Sequence, residues 1–193
     1  MRAVICVSIL GCCSATGCGS SPPTRYYILD SVPSSRVAAI TPNQPMLRVE
    51  PVAIPGELDR TELVTKNSPN SVSIDGLDRW AAPLDEQIRR VLSADLVARL
   101  PPNWVADPLE PMPDAPRRRL FIQIESFYAD SHCAVSLKAA WTLRDAHGAT
   151  RQGSEEISAP PQQGPCAGTA AAKSMSNALG LFADRLAPAM LLP

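Results

Sequence analysis

The side chains that could perform acid–base or nucleophilic chemistry are few in this sequence. Residues 130–132 read Asp-Ser-His, the residue types of a catalytic triad, but contiguous residues cannot present the nucleophile–base–orienter geometry that a triad needs. His147 follows a strand pattern in a predicted hairpin turn, where a solvated imidazole is expected. Glu155 and Glu156 point to opposite faces of an extended strand, so they do not form a carboxylate pair. The sequence therefore predicts no catalytic residues.

The sequence also gives little support for binding of a metal ion, a phosphate group or a nucleic acid. The 193 residues include only two His, and they contain no His-Glu-x-x-His, Gly-x-Ser-x-Gly or phosphate-cradling glycine motif. The net charge of -1 argues against a nucleic-acid binder, which normally carries a basic excess. The run Arg117-Arg118-Arg119 fits lipid phosphates, an acidic partner or a solvated strand edge that resists aggregation. We predict a chain that is not an enzyme and has no cofactor, no metal site and no nucleic-acid partner.

The first eighteen residues have the pattern of a lipoprotein export signal. Met1-Arg2 is a minimal basic start, and residues 3–15 form an apolar, small-residue stretch of signal-peptide length, too short to span a bilayer. Ala-Thr-Gly then precedes Cys18, and small residues before a Cys are what lipoprotein signal peptidase recognises. Cys12, which follows Ile-Leu-Gly, is the alternative lipidation site. An ordinary cleaved secretory signal is a third interpretation.

This pattern divides the chain into three segments. Residues 1–17 are the predicted signal peptide, residues 18–25 a lipidated tether, and residues 26–193 a folded domain. Three acyl chains make a stable anchor, whereas one alone is marginal. Residue 19 is Gly, not the Asp that retains enteric lipoproteins at the inner membrane. By that analogy we expect a lipid anchor in the outer membrane, with the domain on its periplasmic face.

Two cysteines remain after export. Three of the six Cys leave with the signal peptide, and Cys18 carries lipid, so only Cys133 and Cys166 are left in the domain. An even pair in an oxidising compartment is a candidate disulfide, here closing a loop of about 34 residues. Two buried free thiols are the alternative.

The remaining sequence predicts strands, a helix, more strands and a final helix. An apolar stripe with spacings of three and four follows Pro83 and ends at Pro101. A second such stripe occupies residues 169–187. Strand patterns occur at residues 26–29, 46–54, 63–66, 71–74, 120–128, 133–144 and 150–157. This order favours one α/β domain with a mixed or mostly antiparallel sheet.

Alternation also predicts which side chains share a face of the central strands. Leu120, Ile122 and Ile124 fall on one face of the strand at 120–128, and Phe121 and Phe127 on the other. The strand at 133–144 alternates cleanly between apolar and polar residues, as a half-buried strand does.

Several of these segments, in order, resemble one known family. They are Cys18 with residues 20–29, Pro-Gly-Glu-Leu-Asp-Arg at 55–60, and Arg-Trp-Ala-Ala-Pro-Leu at 79–84 leading into the helix. The strand at 121–127 fits more weakly. Together the segments resemble the PqiC-like ABC-type transport auxiliary lipoproteins. The charged and aromatic residues within them are candidates for partner binding or for structural roles: Arg25, Tyr26, Tyr27, Asp59, Arg60, Arg79 and Trp80.

The resemblance implies a fold, a location and a role. The implied fold is a three-layer α/β/α domain with a mixed sheet on a short lipid tether. The implied role is to dock an MCE-type periplasmic protein of an ABC lipid transport system at the outer membrane, as a single subunit or a homo-oligomeric ring. No catalytic residue is carried over. A lipoprotein that regulates a cell-wall synthase or supports membrane integrity is the first alternative. An envelope hydrolase and a soluble lipid chaperone are others.

Overall fold

The computed structural model describes residues 21–34, 47–107, 118–161 and 166–191. The predicted signal peptide, Cys12 and Cys18 lie outside these residues. The described elements are seven strands and two helices: β1 (Arg25–Tyr27), β2 (Leu47–Val49), β3 (Glu62–Ser68), β4 (Ser71–Trp80), α1 (Leu84–Val97), β5 (Arg118–Asp130), β6 (Val135–Asp145), β7 (Thr150–Ala159) and α2 (Gly168–Leu191).

The strands form one mixed sheet in the order β1-β4-β3-β5-β6-β7, with β2 also paired to β5. The hairpin β3–β4 and the meander β5–β6–β7 are antiparallel. The pairs β1–β4, β2–β5 and β3–β5 are parallel. The predicted single α/β domain with a mixed sheet is confirmed. Strands β1 and β7 are at opposite ends of this order.

Both helices contribute their apolar stripes to the same core. α1 and α2 pack against each other, α1 also contacts β2, and α2 contacts β5, β6 and β7. The opposite face of the meander carries exposed residues such as Gln123, Ser136 and Lys138. Of the three layers that the resemblance implied, the described residues thus contain two, a sheet and one layer of helices. The largest fully buried side chains include Trp104, Phe127 and Phe182.

A β-bulge in β5 corrects the predicted strand faces. The pairing with β6 shifts between Ile124 and Ser126, which leaves Glu125 without a partner residue. A bulge inserts one residue and changes the alternation beyond it. Phe127 therefore pairs with Leu137 on the core face and is fully buried. The prediction that it shares a face with Phe121 was wrong.

The bounds of two strands differ from those that the sequence patterns predict. β1 ends at Tyr27, and Ile28 and Leu29 continue as irregular chain. β4 extends to Trp80, well past the predicted end at residue 74. α1 begins after Pro83 as predicted, with Asp85 and Glu86 in its first turn, where the helix dipole favours acidic groups.

Candidate functional site

The predicted tether leads directly into β1. Residues 21–24 are exposed and irregular, and β1 then pairs in parallel with the end of β4. Arg25 Nε donates a 2.6 Å hydrogen bond to Asp78 Oδ1, and the hydroxyl of Tyr27 donates to the same oxygen at 3.1 Å. The hydrogen bond from Arg25 raises the pKa of its guanidinium. Two of the candidate residues therefore share a carboxylate that is itself buried in β4.

Tyr27 and Tyr26 point in opposite directions from β1. The ring of Tyr27 lies against Gly168 at the start of α2, where a Cβ atom would clash with it. Glycine at this position permits the close approach of ring and helix. Burial, with the hydrogen bond to Asp78, raises the pKa of the Tyr27 hydroxyl. Tyr26, by contrast, is 65% exposed.

Residues 28–34, which we call the strap, continue from β1 across both helices. Gln87 Oε1 accepts a 2.8 Å hydrogen bond from the amide of Leu29, and Arg90 donates to the carbonyl of the same residue at 2.7 Å. The amide of Asp30 donates to Ser176 Oγ on α2 at 3.1 Å. The side chain of Leu29 is fully buried in the core. Polar side chains thus satisfy a backbone that belongs to no sheet.

The far half of the strap is held by a buried carboxylate. Asp95 Oδ1 accepts a 2.8 Å hydrogen bond from the amide of Val32. Arg99 lies 3.6 Å from that oxygen and donates a 2.9 Å hydrogen bond to Asp184 of α2. Asp95 is 0% exposed, and burial raises its pKa to about 6 in spite of the hydrogen bond from Val32 and the charge of Arg99. This charged cluster joins α1, α2 and the strap.

The other candidate residues occupy the base of the β3–β4 hairpin. Arg60 and Arg79 approach Glu62 on two sides, at 3.2 Å and 3.8 Å. Asp59 is exposed in the turn that precedes β3. Trp80 is 4% exposed and belongs to the core, so the structure favours a structural role for this side chain over a contact surface.

The structure brings most of the predicted candidates to one end of the sheet. Tyr26 and Tyr27 pair with Arg79 and Trp80 across β1–β4, as Arg25 pairs with Asp78. Three residues important to this end have no motif of their own in the sequence: Asp78, Gln87 and Asp95. Gln87 and Asp95 lie among the buried, mostly apolar positions of α1, which is a signal for them, whereas Asp78 lies in a largely polar strand and has none.

A second contact that the sequence did not predict fixes the turn before β3. The hydroxyl of Tyr128 donates a 2.7 Å hydrogen bond to Glu57 Oε1. This bond lowers the pKa of Glu57, while burial raises the pKa of Tyr128 to about 12. The turn also contains a hydrogen bond from the amide of Leu58 to the carbonyl of Pro55 at 2.9 Å. The Pro-Gly-Glu-Leu-Asp-Arg segment is thus tied to β5.

The cysteines of the domain lie together. The sulfur atoms of Cys133 and Cys166 are bonded, with their Cα atoms 5.1 Å apart. Cys133 is buried just before β6, and Cys166 is half-buried just before α2. The bond links the meander to the final helix. Oxidation of this pair in the mature protein stays a prediction.

The acidic side chains next to the two histidines have a structural role in turns. Asp130 Oδ1 accepts hydrogen bonds from the amides of His132 and Ala134, at 2.8 Å and 2.9 Å. Asp145 accepts in the same way from the amides of His147 and Ala149. These are carboxylates that cap a chain reversal. Across residues 21–34, 47–107, 118–161 and 166–191, no group of three or more His, Cys, Asp or Glu is arranged to hold a metal ion.

Two open grooves flank α2. One, of about 930 Å³, lies between α2 and β7 and includes Arg99, Ser174 and Asp184 in its lining. The other, of about 520 Å³, lies beside the strap and includes Tyr26 and Ile28. No helix among the described residues is both long enough and apolar enough to cross a membrane.

Comparison with known proteins decides the family. The family model described as "ABC-type transport auxiliary lipoprotein component" matches residues 27–187, which include β1's last residue, the strap, the meander and most of α2. The chain belongs to this family. Its resemblance, first based on Cys18 and three short segments, is thereby confirmed for the domain as a whole.

Individual relatives agree with this assignment. The chain is 34% identical over 90 residues to the intermembrane transport lipoprotein PqiC of Escherichia coli K12, and equally to that of Shigella flexneri. The match covers 46% of this chain and 48% of each relative, so the chain spans about half the length of the curated relatives it matches.

Two crystal structures share the fold. One, of an uncharacterized protein, has a TM-score of 0.72 at 24% identity and covers 88% of this chain and 99% of its own. The other, from Xanthomonas campestris, has a TM-score of 0.67 at 14% identity and covers 86% of this chain and 95% of its own. At these identities the likeness shows the fold alone. It supports a single α/β domain.

Proposed function

We propose that this chain is an outer-membrane lipoprotein subunit of an ABC/MCE-type intermembrane lipid transport system. In this proposal Cys18 carries the lipid anchor, and the domain docks the periplasmic MCE component at the outer membrane. The observation that carries the proposal is the family match over residues 27–187. The 34% identity to an intermembrane transport lipoprotein supports the same role.

The way in which the tether enters the domain supports an anchoring role. Arg25 follows Cys18 by only seven positions, which at about 3.5 Å per residue reach at most about 25 Å. The chain then becomes a strand, and the strap contacts both helices. A force on the anchor is therefore transmitted to the core. This short reach suits a subunit held at its membrane and disfavours a regulator that must cross the periplasm.

The placement of the acid–base side chains supports a binding role over a catalytic one. Asp130 and Asp145 use their carboxylates to hold turn amides. The hydroxyl of Ser131 and Nδ1 of His132 lie 3.2 Å apart on an exposed turn. These contacts supply no nucleophile–base–orienter arrangement.

The anchor is tested by substituting each of the two candidate cysteines in the full chain. We expect Cys18→Ala to release a folded protein from the membrane fraction and Cys12→Ala to leave it membrane-bound. Circular dichroism of the released protein checks that the domain is intact. Release by Cys12→Ala alone would move the anchor to Cys12, and retention of both variants would contradict a lipid anchor.

The docking role is tested by measuring which membrane fraction contains the MCE-type partner. With wild-type protein, we expect an MCE-type periplasmic protein to cofractionate with outer membranes, and we expect Cys18→Ala to abolish that cofractionation. A partner whose location does not depend on Cys18 would contradict docking.

The resemblance also supports a ring of identical subunits, which is part of the proposal. Native mass spectrometry of the lipidated protein in mild detergent tests it. We expect one homo-oligomeric mass, whereas a monomer at all concentrations would contradict the ring and leave the anchor and docking proposals in place.

A further inference from the structure

Two exposed apolar side chains stand beside the tether. Tyr26 is 65% exposed and Ile28 is 51% exposed, although each is next to a side chain that packs inward. Exposed single apolar residues are ordinary on a protein surface. These two lie two residues apart and line the same groove, of about 520 Å³. They therefore form one continuous apolar feature.

The first turns of α2 complete this surface. Thr169 and Lys173 are exposed there, and Ala172 lies buried between them. We call Tyr26, Ile28, Thr169, Ala172 and Lys173 the β1–α2 patch. It combines an aromatic ring that carries a hydroxyl, an aliphatic side chain and a cationic amine. This is the chemistry of residues that sit at the boundary of lipid headgroups and acyl chains, where rings anchor and amines reach phosphates.

The position of the patch in the chain indicates what covers it. The patch begins eight residues after Cys18, so a lipidated Cys18 keeps it within about 28 Å of the bilayer surface even with a fully extended tether. β1 is also the outermost strand of its end of the sheet. The patch is thus the apolar surface that the anchor holds beside the membrane.

We propose that the β1–α2 patch rests on the lipid interface of the membrane that holds the anchor. Tyr26 and Ile28 enter the boundary between headgroups and acyl chains, and Lys173 faces lipid phosphates. This inference rests on the proposed anchor at Cys18 and adds an orientation to it. The sheet order places β7 five strand spacings from β1, about 24 Å away at ~4.8 Å per spacing. The far edge of the sheet therefore faces the periplasm.

The test is lipid quenching of a fluorophore placed on the full lipidated chain. Single variants Tyr26→Cys and Ile28→Cys carry an environment-sensitive thiol label. They are measured in vesicles of phosphatidylethanolamine with or without phosphatidylglycerol, each with or without spin-labelled lipid. Val97→Cys and Leu181→Cys are the matched controls, since these side chains are 56% and 42% exposed. Val97 lies in the last turn of α1, about 20 Å from the start of that helix.

We expect spin-labelled lipid to quench the labels at residues 26 and 28 at least threefold more than those at residues 97 and 181. Lys173→Gln should weaken this quenching when phosphatidylglycerol is present and not in its absence. Equal quenching at all four positions would overturn the proposal. Labels at 26 and 28 that are shielded from water but not quenched by lipid would also overturn it, because a protein would then cover the patch. Protein that does not float with the vesicles would overturn the anchor itself, and with it both proposals.

Discussion

The meander β5–β6–β7 and the edge formed by β1 and the strap are held by different interactions. In the meander, long antiparallel ladders pair ten or more residues of adjacent strands, and alternating apolar side chains face the helices. At the other edge, β1 pairs only three residues with β4, and the strap depends on single side chains of Gln87, Asp95 and Ser176. Repeated backbone pairing stabilises one region, and individual polar contacts position the other. The region positioned by single contacts is the one that receives the predicted anchor.

The largest effect that distinguishes these regions comes from the buried strap residue. Leu29→Ala removes a fully buried side chain and should lower the free energy of unfolding by about 2–5 kcal/mol. Its neighbour Ile28 is 51% exposed, so Ile28→Ala should change it by less than about 0.5 kcal/mol. Urea denaturation of both variants measures the difference. Equal small losses would show that the strap is not docked in solution.

Loss of the Cys133–Cys166 bond should affect the meander end by a similar amount. Closing a loop of about 34 residues is worth about 4 kcal/mol in the loop-entropy estimate, so the variant with both cysteines changed to Ala should lose about that much. Alkylation of the denatured, unreduced protein should leave both residues unmodified. Modification of both before reduction would show free thiols in the mature protein.

Asp95 gives the strap a pH dependence in the acidic range. Its pKa of about 6 in the folded state lies above the usual 3.8, so the folded protein binds more protons between these values. The stabilisation from protonated Asp95 is fully present below about pH 4 and is lost as the pH rises past 6, a change of at most about 3 kcal/mol. Asp95→Asn removes this titration.

Urea denaturation of wild type and Asp95→Asn at pH 4, 5, 6 and 7 checks this prediction. As the pH rises from 4 to 6, the free energy of unfolding of wild type should fall relative to that of Asp95→Asn. Asp184→Asn is the control, because that carboxylate pairs with Arg99 but is partly exposed. A constant difference between Asp95→Asn and wild type at every pH would contradict the prediction.

A small effect is expected at the start of β1. The side chain of Arg25 is 57% exposed, and its partner Asp78 is 9% exposed. Solvent screens such a pair, so Arg25→Gln should lower the free energy of unfolding much less than Leu29→Ala does. Arg60→Gln, at the exposed pair with Glu62, is the matched control. A loss of several kcal/mol at Arg25 would mean that this pair holds β1 in place by itself.

The sequence predicted the meander and the helices better than the edge formed by β1 and the strap. The apolar stripe after Pro83 and the alternation from Val135 to Leu143 predicted α1 and β6, because periodic burial leaves a periodic signal. The bulge at Glu125 inserts one residue without a turn motif, so the face of Phe127 was mispredicted. The strap left no signal in its own sequence, because the groups that hold it belong to α1 and α2.

The candidate residues divide along the same line. Short segments in a particular order pointed to Arg25, Tyr27 and Arg79, which the structure places together. Arg25 and Tyr27 share Asp78 as a partner, and this contact becomes visible only when distant segments are brought together. Contacts between polar residues that are distant in the chain produce no periodic sequence pattern. Pattern analysis therefore cannot predict them.

Capture of envelope partners tests the proposed function most directly. The lipidated full-length protein is crosslinked in cells, purified in mild detergent and analysed by mass spectrometry beside the Cys18→Ala variant. The account predicts recovery of an MCE-type periplasmic protein with its ABC partners, dependent on Cys18. Recovery of a cell-wall synthase, or of no envelope partner although Cys18 is lipidated, would contradict it.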